Sequence, residues 1–161
     1  MQTEMMWLRR VAADRYALLA LRLVVGYGFA AHGYAKLARG PDGFAAILAA
    51  IGVPAPYLAA WATVAVELFG GIAVIAGAGV VLVTPLLAVI MVTALVTVHL
   101  RYGFSSIRLK AISDAGAEFG PIGYELNLLY LAALAALAAS APGALSLDGW
   151  LSRRLRRVPR A

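Results

Sequence analysis

The stretch at residues 18–37, LLALRLVVGYGFAAHGYAKL, decides the fold. It is apolar and long enough to cross a bilayer, whose hydrocarbon core takes roughly 20 helical residues to span. It nevertheless carries Arg22 near one end and His32 and Lys36 near the other. Because an ionisable group inside a bilayer costs at least about 2.5 kcal/mol, such groups usually face a protein interior or a wet cavity. The stretch therefore predicts a membrane-spanning helix with polar contacts inside a bundle.

One face of this helix combines small and polar residues. At about 100° per residue, the following positions fall within about 40° of one line: Arg22, Gly26, Phe29, Gly33 and Lys36. Glycine lets the backbone of a neighbouring helix approach closely. We therefore expect this face to meet other helices and the remaining aliphatic surface to meet lipid.

The composition is typical of a small membrane protein. The chain has 161 residues, of which 63% are hydrophobic and 14% are charged, and this excludes the ordinary soluble and disordered classes. Apolar runs predict four membrane spans, at about residues 18–37, 57–76, 80–100 and 122–139. We predict an all-α fold, an integral membrane four-helix bundle that forms a single domain over residues 1–161. A short surface or re-entrant helix at residues 43–51 and a long mixed loop at 102–123 connect the spans.

The excess of positive charge lies near the chain ends. The net charge of the chain is +6. Arginines are concentrated in two segments: Arg9, Arg10 and Arg15 before the first span, and Arg153, Arg154, Arg156, Arg157 and Arg160 after the last. Because Lys and Arg favour the cytoplasmic side, both termini are predicted to be cytoplasmic. An interfacial N-terminal segment and a basic C-terminal tail, the latter as a short surface helix, fit membrane lipids as partners. Nucleic acid is not predicted as a partner.

Polar and small residues recur in the other spans. Glu67 lies at the centre of the second span, and Gly70 and Gly71 follow one turn later on roughly the same helix face. The candidate ligand-binding residues are the ionisable and amide groups in or beside the spans: Arg22, His32, Lys36, Glu67, His99, Glu125 and Asn127. The candidate helix-packing residues are the glycines: Gly26, Gly33, Gly70 and Gly71.

Estimated depths suggest how the charges pair. At about 1.5 Å per residue, Arg22 and Glu67 differ in depth by about 6 Å, and we predict an ion pair between them. Glu125 is expected to pair with Lys36, Arg101 or His99 nearer the outer face. A purely structural interpretation stays open, because a buried pair can fix helix register without chemistry and a lysine can extend to the headgroups.

A cavity lined by Lys, His and Glu can bind and protonate a polar head while an apolar tail stays in lipid. Quinones are molecules of this kind, and a quinone is the predicted ligand. The chain has no cysteine, which removes disulfides, thiolate metal sites and covalent haem attachment, and no metal site is predicted. A haem between His32 and His99 is the less favoured alternative, because two histidines alone are a weak pattern.

Several segments of the sequence, taken together and in this order, are similar to those of a known protein family. They are LRLVVGYGFAAHGYAKL in the first span, VELFGG in the second, His99, GAEFGPIGYELNLLYLAAL and SLDGWL, and they span about residues 20–151. With these segments in this order, the chain resembles the DoxX family of small bacterial membrane proteins. The resemblance implies a four-helix protein of the bacterial inner membrane, linked to oxidoreductase systems that include a thiosulfate:quinone oxidoreductase and detoxifying redox enzymes. The positions it singles out are Arg22, Gly33, Lys36, Glu67, Gly70, Gly71, His99 and Glu125.

Two functions remain open. The first is a membrane subunit of an oxidoreductase system that binds a quinone; as an enzyme it would be a quinone-linked oxidoreductase subunit, with electrons carried by a borrowed cofactor or partner. The second is a non-catalytic scaffold or assembly partner, in which another subunit or a second copy covers a small-residue face such as Gly70 and Gly77. A transporter is less favoured, because four short spans offer little for alternating access.

Overall fold

The structure is a computed structural model that describes residues 2–140 and 142–155, with side chains described from residue 16 onward. It is mostly helical, with helices α1 (Gln2–Ala38), α2 (Pro41–Ala50), α3 (Pro56–Ala76), α4 (Val80–Ala94), α5 (Glu125–Ala139) and α6 (Leu147–Leu155). Helix α4 continues as a π-helical segment, Leu95–His99, and a short 3-10 turn, Leu100–Tyr102. Strands β1 (Leu109–Ser113) and β2 (Gly116–Phe119) lie between α4 and α5.

Within the described part of the chain, three helical stretches are long and apolar enough to cross a membrane: Tyr16–Ala38, Pro56–Ala76 and Val80–Tyr102. They coincide with the first three predicted spans. The fourth span, predicted at 122–139, is the shorter apolar helix α5, which begins at Glu125 and has 15 residues. At 1.5 Å per residue it rises about 22 Å, which is less than the roughly 30 Å of a bilayer core. The structure thus supports three of the four spans.

Helices α1, α3, α4 and α5 pack side by side with alternating directions. Gly26 on α1 faces Gly71 on α3, whereas Gly33 faces Leu68, so the two helices are antiparallel. The main core lies between these four helices and consists of Val25, Phe29, Val74, Leu87, Leu134 and Leu137. The rings of Phe29 and Tyr130 meet edge to face, with their centroids 5.3 Å apart.

The contact between α1 and α3 depends on glycine. A Cβ atom at Gly26 would lie 2.6 Å from the carbonyl oxygen of Gly71, and a Cβ atom at Gly71 would lie 2.5 Å from the backbone nitrogen of Ala30. Both distances are far below van der Waals contact, so a side chain at either position would force the helices apart. This close approach is the usual role of small residues between membrane helices.

The loop 102–123 contains the antiparallel hairpin β1–β2, so the all-α prediction is wrong there. The strands have five and four residues, all exposed, and are too short for the hydrophobic pattern to distinguish them from loop. The turn uses Gly116, whose φ is 118°, a conformation that glycine adopts without strain. Backbone hydrogen bonds from Gly123, Tyr124 and Glu125 to residues 103–105 hold the base of this loop against the start of α5.

The chain ends differ in how far they follow the prediction. Helix α1 is continuous from Gln2 to Ala38, so the expected interfacial segment is the first part of this helix and not a separate element. The expected C-terminal surface helix is present as α6. Of the basic tail, Arg156, Arg157 and Arg160 lie outside the described residues, as do the side chains of the three arginines before the first span.

Candidate functional site

Lys36 on α1 and Glu67 on α3 form an ion pair, in which Lys36 Nζ donates a hydrogen bond to Glu67 Oε2. The Glu67 side chain is 6% exposed and that of Lys36 is 24% exposed. Lys36 lies one turn beyond Gly33, where α1 packs closely on α3, and this places it level with Glu67. The Lys36 ammonium also lies 5.2 Å from the centroid of the Phe44 ring on α2, a cation–π contact. A buried carboxylate in the bundle is therefore neutralised by a lysine.

Arg22 does not belong to this pair, and the predicted Arg22–Glu67 ion pair is wrong. The Arg22 guanidinium is buried and donates hydrogen bonds to three backbone carbonyls, those of Ile75 at 3.1 Å, Leu145 at 3.1 Å and Ala144 at 3.3 Å. Two of these carbonyls come from the segment after α5, which folds over this end of the bundle. Arg22 thus holds the C-terminal segment, and it lies away from the Lys36–Glu67 pair.

Glu125 also has a partner other than those predicted for it. Its carboxylate accepts a hydrogen bond from the backbone N–H of Ser106 at 3.0 Å, while its own N–H donates to the carbonyl of Phe104. These contacts fix the loop after α4 to the first turn of α5. The predicted pairing of Glu125 with Lys36, Arg101 or His99 is therefore wrong, and Glu125 positions the loop.

A mainly apolar cavity of about 310 Å³ lies between α2, α3 and the C-terminal part of α4. Lys36 and Glu67 are its charged residues, and threonines add hydroxyl groups: Thr63, Thr93 and Thr97. Small-molecule sites usually measure about 300–1,000 Å³ and combine apolar walls with a few polar groups. The cavity is therefore large enough for part of a small lipophilic ligand. We name it the apolar cavity.

A second cavity, of about 220 Å³, lies on the α5 side of the same ion pair. Its lining contains most of the predicted ligand-binding residues: His32, Lys36, Glu67, His99 and Asn127. Phe29 and Tyr130 supply aromatic walls. We name it the polar cavity. Because Lys36 and Glu67 line both cavities, the ion pair lies between a mainly apolar space and one whose apolar walls also carry two histidines and an asparagine.

Two of the polar side chains of the second cavity, His99 and Asn127, are oriented by hydrogen bonds to backbone carbonyls. His99 Nδ1 lies 3.1 Å from the carbonyl oxygen of Ile122. A carbonyl only accepts, so Nδ1 carries the proton and, in the neutral ring, Nε2 is an acceptor. The buried Asn127 side chain donates from Nδ2 to the carbonyl of Met91 at 3.4 Å. A ligand in this cavity would meet a lysine donor and an imidazole acceptor.

The π-helical segment at the end of α4 contributes to both cavities. Thr97 and Val98 line the apolar cavity and His99 lines the polar cavity. A π-helical turn widens the helix and changes the direction of the residues after it, and such turns are frequent at functional sites. The apolar sequence around it reads as regular helix, so sequence reasoning missed this feature. It also missed the threonines, although Thr93 and Thr97 are spaced for one helix face.

The glycines proposed as a docking face for a partner are covered by this chain. Gly70 packs against Val83 and Leu87 of α4, and Gly77 packs against Ser146 and Arg22. Both glycines are buried. These two positions therefore do not present a free small-residue face to another subunit.

Comparison with known proteins gives a family match. The model of a family described as DoxX matches residues 17–100, about half of the chain. The matched region contains Lys36, Glu67 and His99, whereas Glu125 and Asn127 lie beyond it. No curated protein and no solved structure matches the chain.

Proposed function

The chain belongs to the DoxX family, and we propose that it binds a quinone, or a similar lipophilic redox molecule, at the Lys36–Glu67 ion pair. DoxX is a family of membrane proteins that are often associated with oxidoreductase-related functions. In this proposal the chain is a membrane subunit of an oxidoreductase system in the bacterial inner membrane. Its electrons come from a partner enzyme.

The observation that carries the proposal is the position of the ion pair between the two cavities. The apolar cavity, which is lined mainly by side chains of α2, α3 and α4, can hold part of a hydrophobic chain. The polar cavity can hold a carbonyl-bearing ring beside Lys36, Glu67 and His99. A quinone has this division between a polar ring and an apolar chain.

The side chains present suit both forms of a quinone. Lys36 uses one N–H on Glu67, and its remaining N–H groups can donate to a quinone carbonyl. The acceptor at His99 Nε2 can receive the hydroxyl proton of a quinol. Reduction of a quinone to a quinol takes up two electrons and two protons, and in this proposal Lys36, Glu67 and His99 are the proton-bearing side chains beside the ring.

The membrane arrangement that goes with this proposal has four passes. Helix α5 packs antiparallel to α4 and would complete the fourth pass, with the residues before Glu125 lying at the outer surface. An even number of passes puts the beginning of α1 and the end of α5 on one side. The arginines at both chain ends favour the cytoplasm for that side.

Equilibrium binding of a short-chain ubiquinone analogue to the purified protein in lipid nanodiscs tests the proposal. His99→Ala should weaken binding by about three- to tenfold, the range for one lost hydrogen bond, and Glu67→Gln, which changes the charge beside Lys36, should weaken it as well; size-exclusion chromatography checks that both variants are folded. Phe69→Ala, which truncates a side chain on the exposed face of α3, is the control and should bind normally. Normal binding in both site variants would defeat the assignment, and a stoichiometric partner that co-purifies with a protein unable to bind quinone would favour a scaffold.

A further inference from the structure

Helix α6 carries an exposed apolar face. Leu147, Trp150, Leu151 and Leu155 follow at spacings of three, one and four residues, which places them on one side of a helix. Each of these side chains is at least 48% exposed. The opposite side contains Gly149, which is buried against Ser146 and Pro142. The helix therefore packs by one side on the segment that precedes it and presents an apolar side outward.

The same helix is basic. Arg153 and Arg154 are exposed in its last turn, and the sequence continues with Arg156, Arg157 and Arg160. The Arg154 guanidinium carbon lies 4.4 Å from the centroid of the Trp150 ring, so a cation covers the face of an exposed indole. A helix with leucine and tryptophan on one side and arginine beside them is typical of segments that lie in the headgroup region of a bilayer.

Hydrogen bonds fix α6 to the turn between α3 and α4. The Asp148 carboxylate accepts from the backbone N–H of Gly79 at 2.9 Å and of Val80 at 3.3 Å, which caps the start of α4. The Asp148 N–H donates to the carbonyl of Gly77 at 2.9 Å. Arg22 adds its hydrogen bonds to Ala144 and Leu145, just before the helix.

This attachment determines where α6 lies. The turn at residues 77–79 joins two helices that are long and apolar enough to cross a membrane, so the turn itself lies at a membrane surface. A helix fastened to that turn lies at the same surface. Arg153 and Arg154, which are both exposed, then lie at the level of the headgroups of the adjacent leaflet, and the leucines and Trp150 can enter its acyl boundary.

We propose that α6 binds anionic lipid headgroups of the leaflet at this end of the bundle, and that the hydrogen bonds of Arg22 and of Asp148 hold it at the depth where it can do so. Charge complementarity selects the lipid. Each cation near an anionic surface contributes about fivefold to the ratio of docked to undocked helix, the equivalent of about 1 kcal/mol. The proposal does not depend on which ligand occupies the cavities.

Trp150 fluorescence in the full-length protein tests this. Variants Trp7→Phe and Trp61→Phe together leave Trp150 as the remaining tryptophan. The protein is placed in nanodiscs of phosphatidylcholine, or of phosphatidylcholine and phosphatidylglycerol in equal parts, with a lipid brominated near the headgroup as quencher. We expect Trp150 to be quenched strongly with phosphatidylglycerol and more weakly without it, and the difference to shrink at high salt.

Charge reversal supplies the second half of the experiment. Arg153→Glu with Arg154→Glu should abolish the effect of phosphatidylglycerol, whereas Arg153→Lys with Arg154→Lys, which keeps the charge, should retain it. Quenching that is the same in both lipids, or that survives charge reversal, would overturn the proposal. So would an unquenched Trp150 in a protein that cross-links through Ser152→Cys, since a second copy would then cover this face.

Discussion

Lys36 on α1 donates a hydrogen bond to Glu67 on α3, and both side chains line the apolar cavity as well as the polar cavity. Two opposite charges inside a membrane bundle are tolerated because each neutralises the other. The long aliphatic stem of Lys36 reaches Glu67 while its ammonium keeps contact with the Phe44 ring. The same pair therefore stabilises the contact between α1 and α3 and brings charge to the site of a ligand.

Replacing one partner of the ion pair should destabilise the protein more than replacing both partners. Lys36→Met leaves the buried Glu67 carboxylate without its cation, and we expect the free energy of unfolding to fall by about 3–5 kcal/mol. The double variant Lys36→Met with Glu67→Leu should recover most of this loss. Unfolding titrations in mixed detergent of the double variant and of the single variants Lys36→Met and Glu67→Leu measure the three differences. If the losses of the two single variants simply add in the double variant, the side chains do not interact.

The α1–α3 interface should not accept a side chain at Gly71. Gly71→Ala puts a Cβ atom against the backbone of Ala30, and we expect a loss of about 1–3 kcal/mol of stability through overpacking. Gly43→Ala is the matched control, because a Cβ atom there meets nothing within 4 Å. Thermal unfolding in detergent compares the two. Equal melting temperatures for both variants would show that the helices are not packed this closely.

Arg22 should matter for the C-terminal segment and not for the ligand. Arg22→Lys keeps the charge but cannot reach three carbonyls at once, so we expect faster amide hydrogen exchange at Asp148 and Gly149. The binding of a quinone analogue should stay within about twofold of the original, a difference under 0.5 kcal/mol. Mass spectrometry of exchanged peptides measures the first effect. A loss of binding as large as that of Glu67→Gln would show that Arg22 contributes to the ligand site.

Filling the apolar cavity should block the ligand. Thr63 lines this cavity, and Thr63→Phe places an aromatic ring where we propose that the hydrophobic chain lies. We expect quinone affinity to drop by about tenfold or more, the equivalent of at least 1.4 kcal/mol. Ala65→Phe adds the same ring on the exposed face of α3 and should leave affinity unchanged. Equal affinities in the two variants would show that the hydrophobic chain of the quinone does not lie in this cavity.

The positions of the helices could be predicted from the sequence because the thickness of the bilayer core sets the number of apolar residues in a spanning helix. The spans predicted at 57–76 and 80–100 agree with the structure within two residues at each end. The glycines at positions 26 and 71 lie where α1 and α3 touch. The hairpin and the π-helical segment were missed, because neither interrupts the hydrophobic pattern in a distinctive way.

The pairing of charges could not be predicted from depth alone. Depth estimates assume helices of equal offset. Lys36 lies 14 residues beyond Arg22 on α1, about 21 Å along the helix, so an estimate that placed Glu67 about 6 Å from Arg22 was in error by more than two helical turns. The acceptors that Arg22 uses are backbone carbonyls, which every residue has and no sequence pattern displays. His32, His99 and Asn127 share a cavity with the ion pair because contacts between distant helices bring them there.

Photoaffinity labelling with an azidoquinone in nanodiscs, followed by mass spectrometric mapping of the modified residues, tests the ligand site most directly. A quinone at the Lys36–Glu67 pair predicts labels on the walls of the two cavities, such as Thr63, Thr97 and Tyr130, and a sharp decrease of labelling in Glu67→Gln. Labels confined to exposed positions such as Leu82, at the same yield in Glu67→Gln, would contradict it.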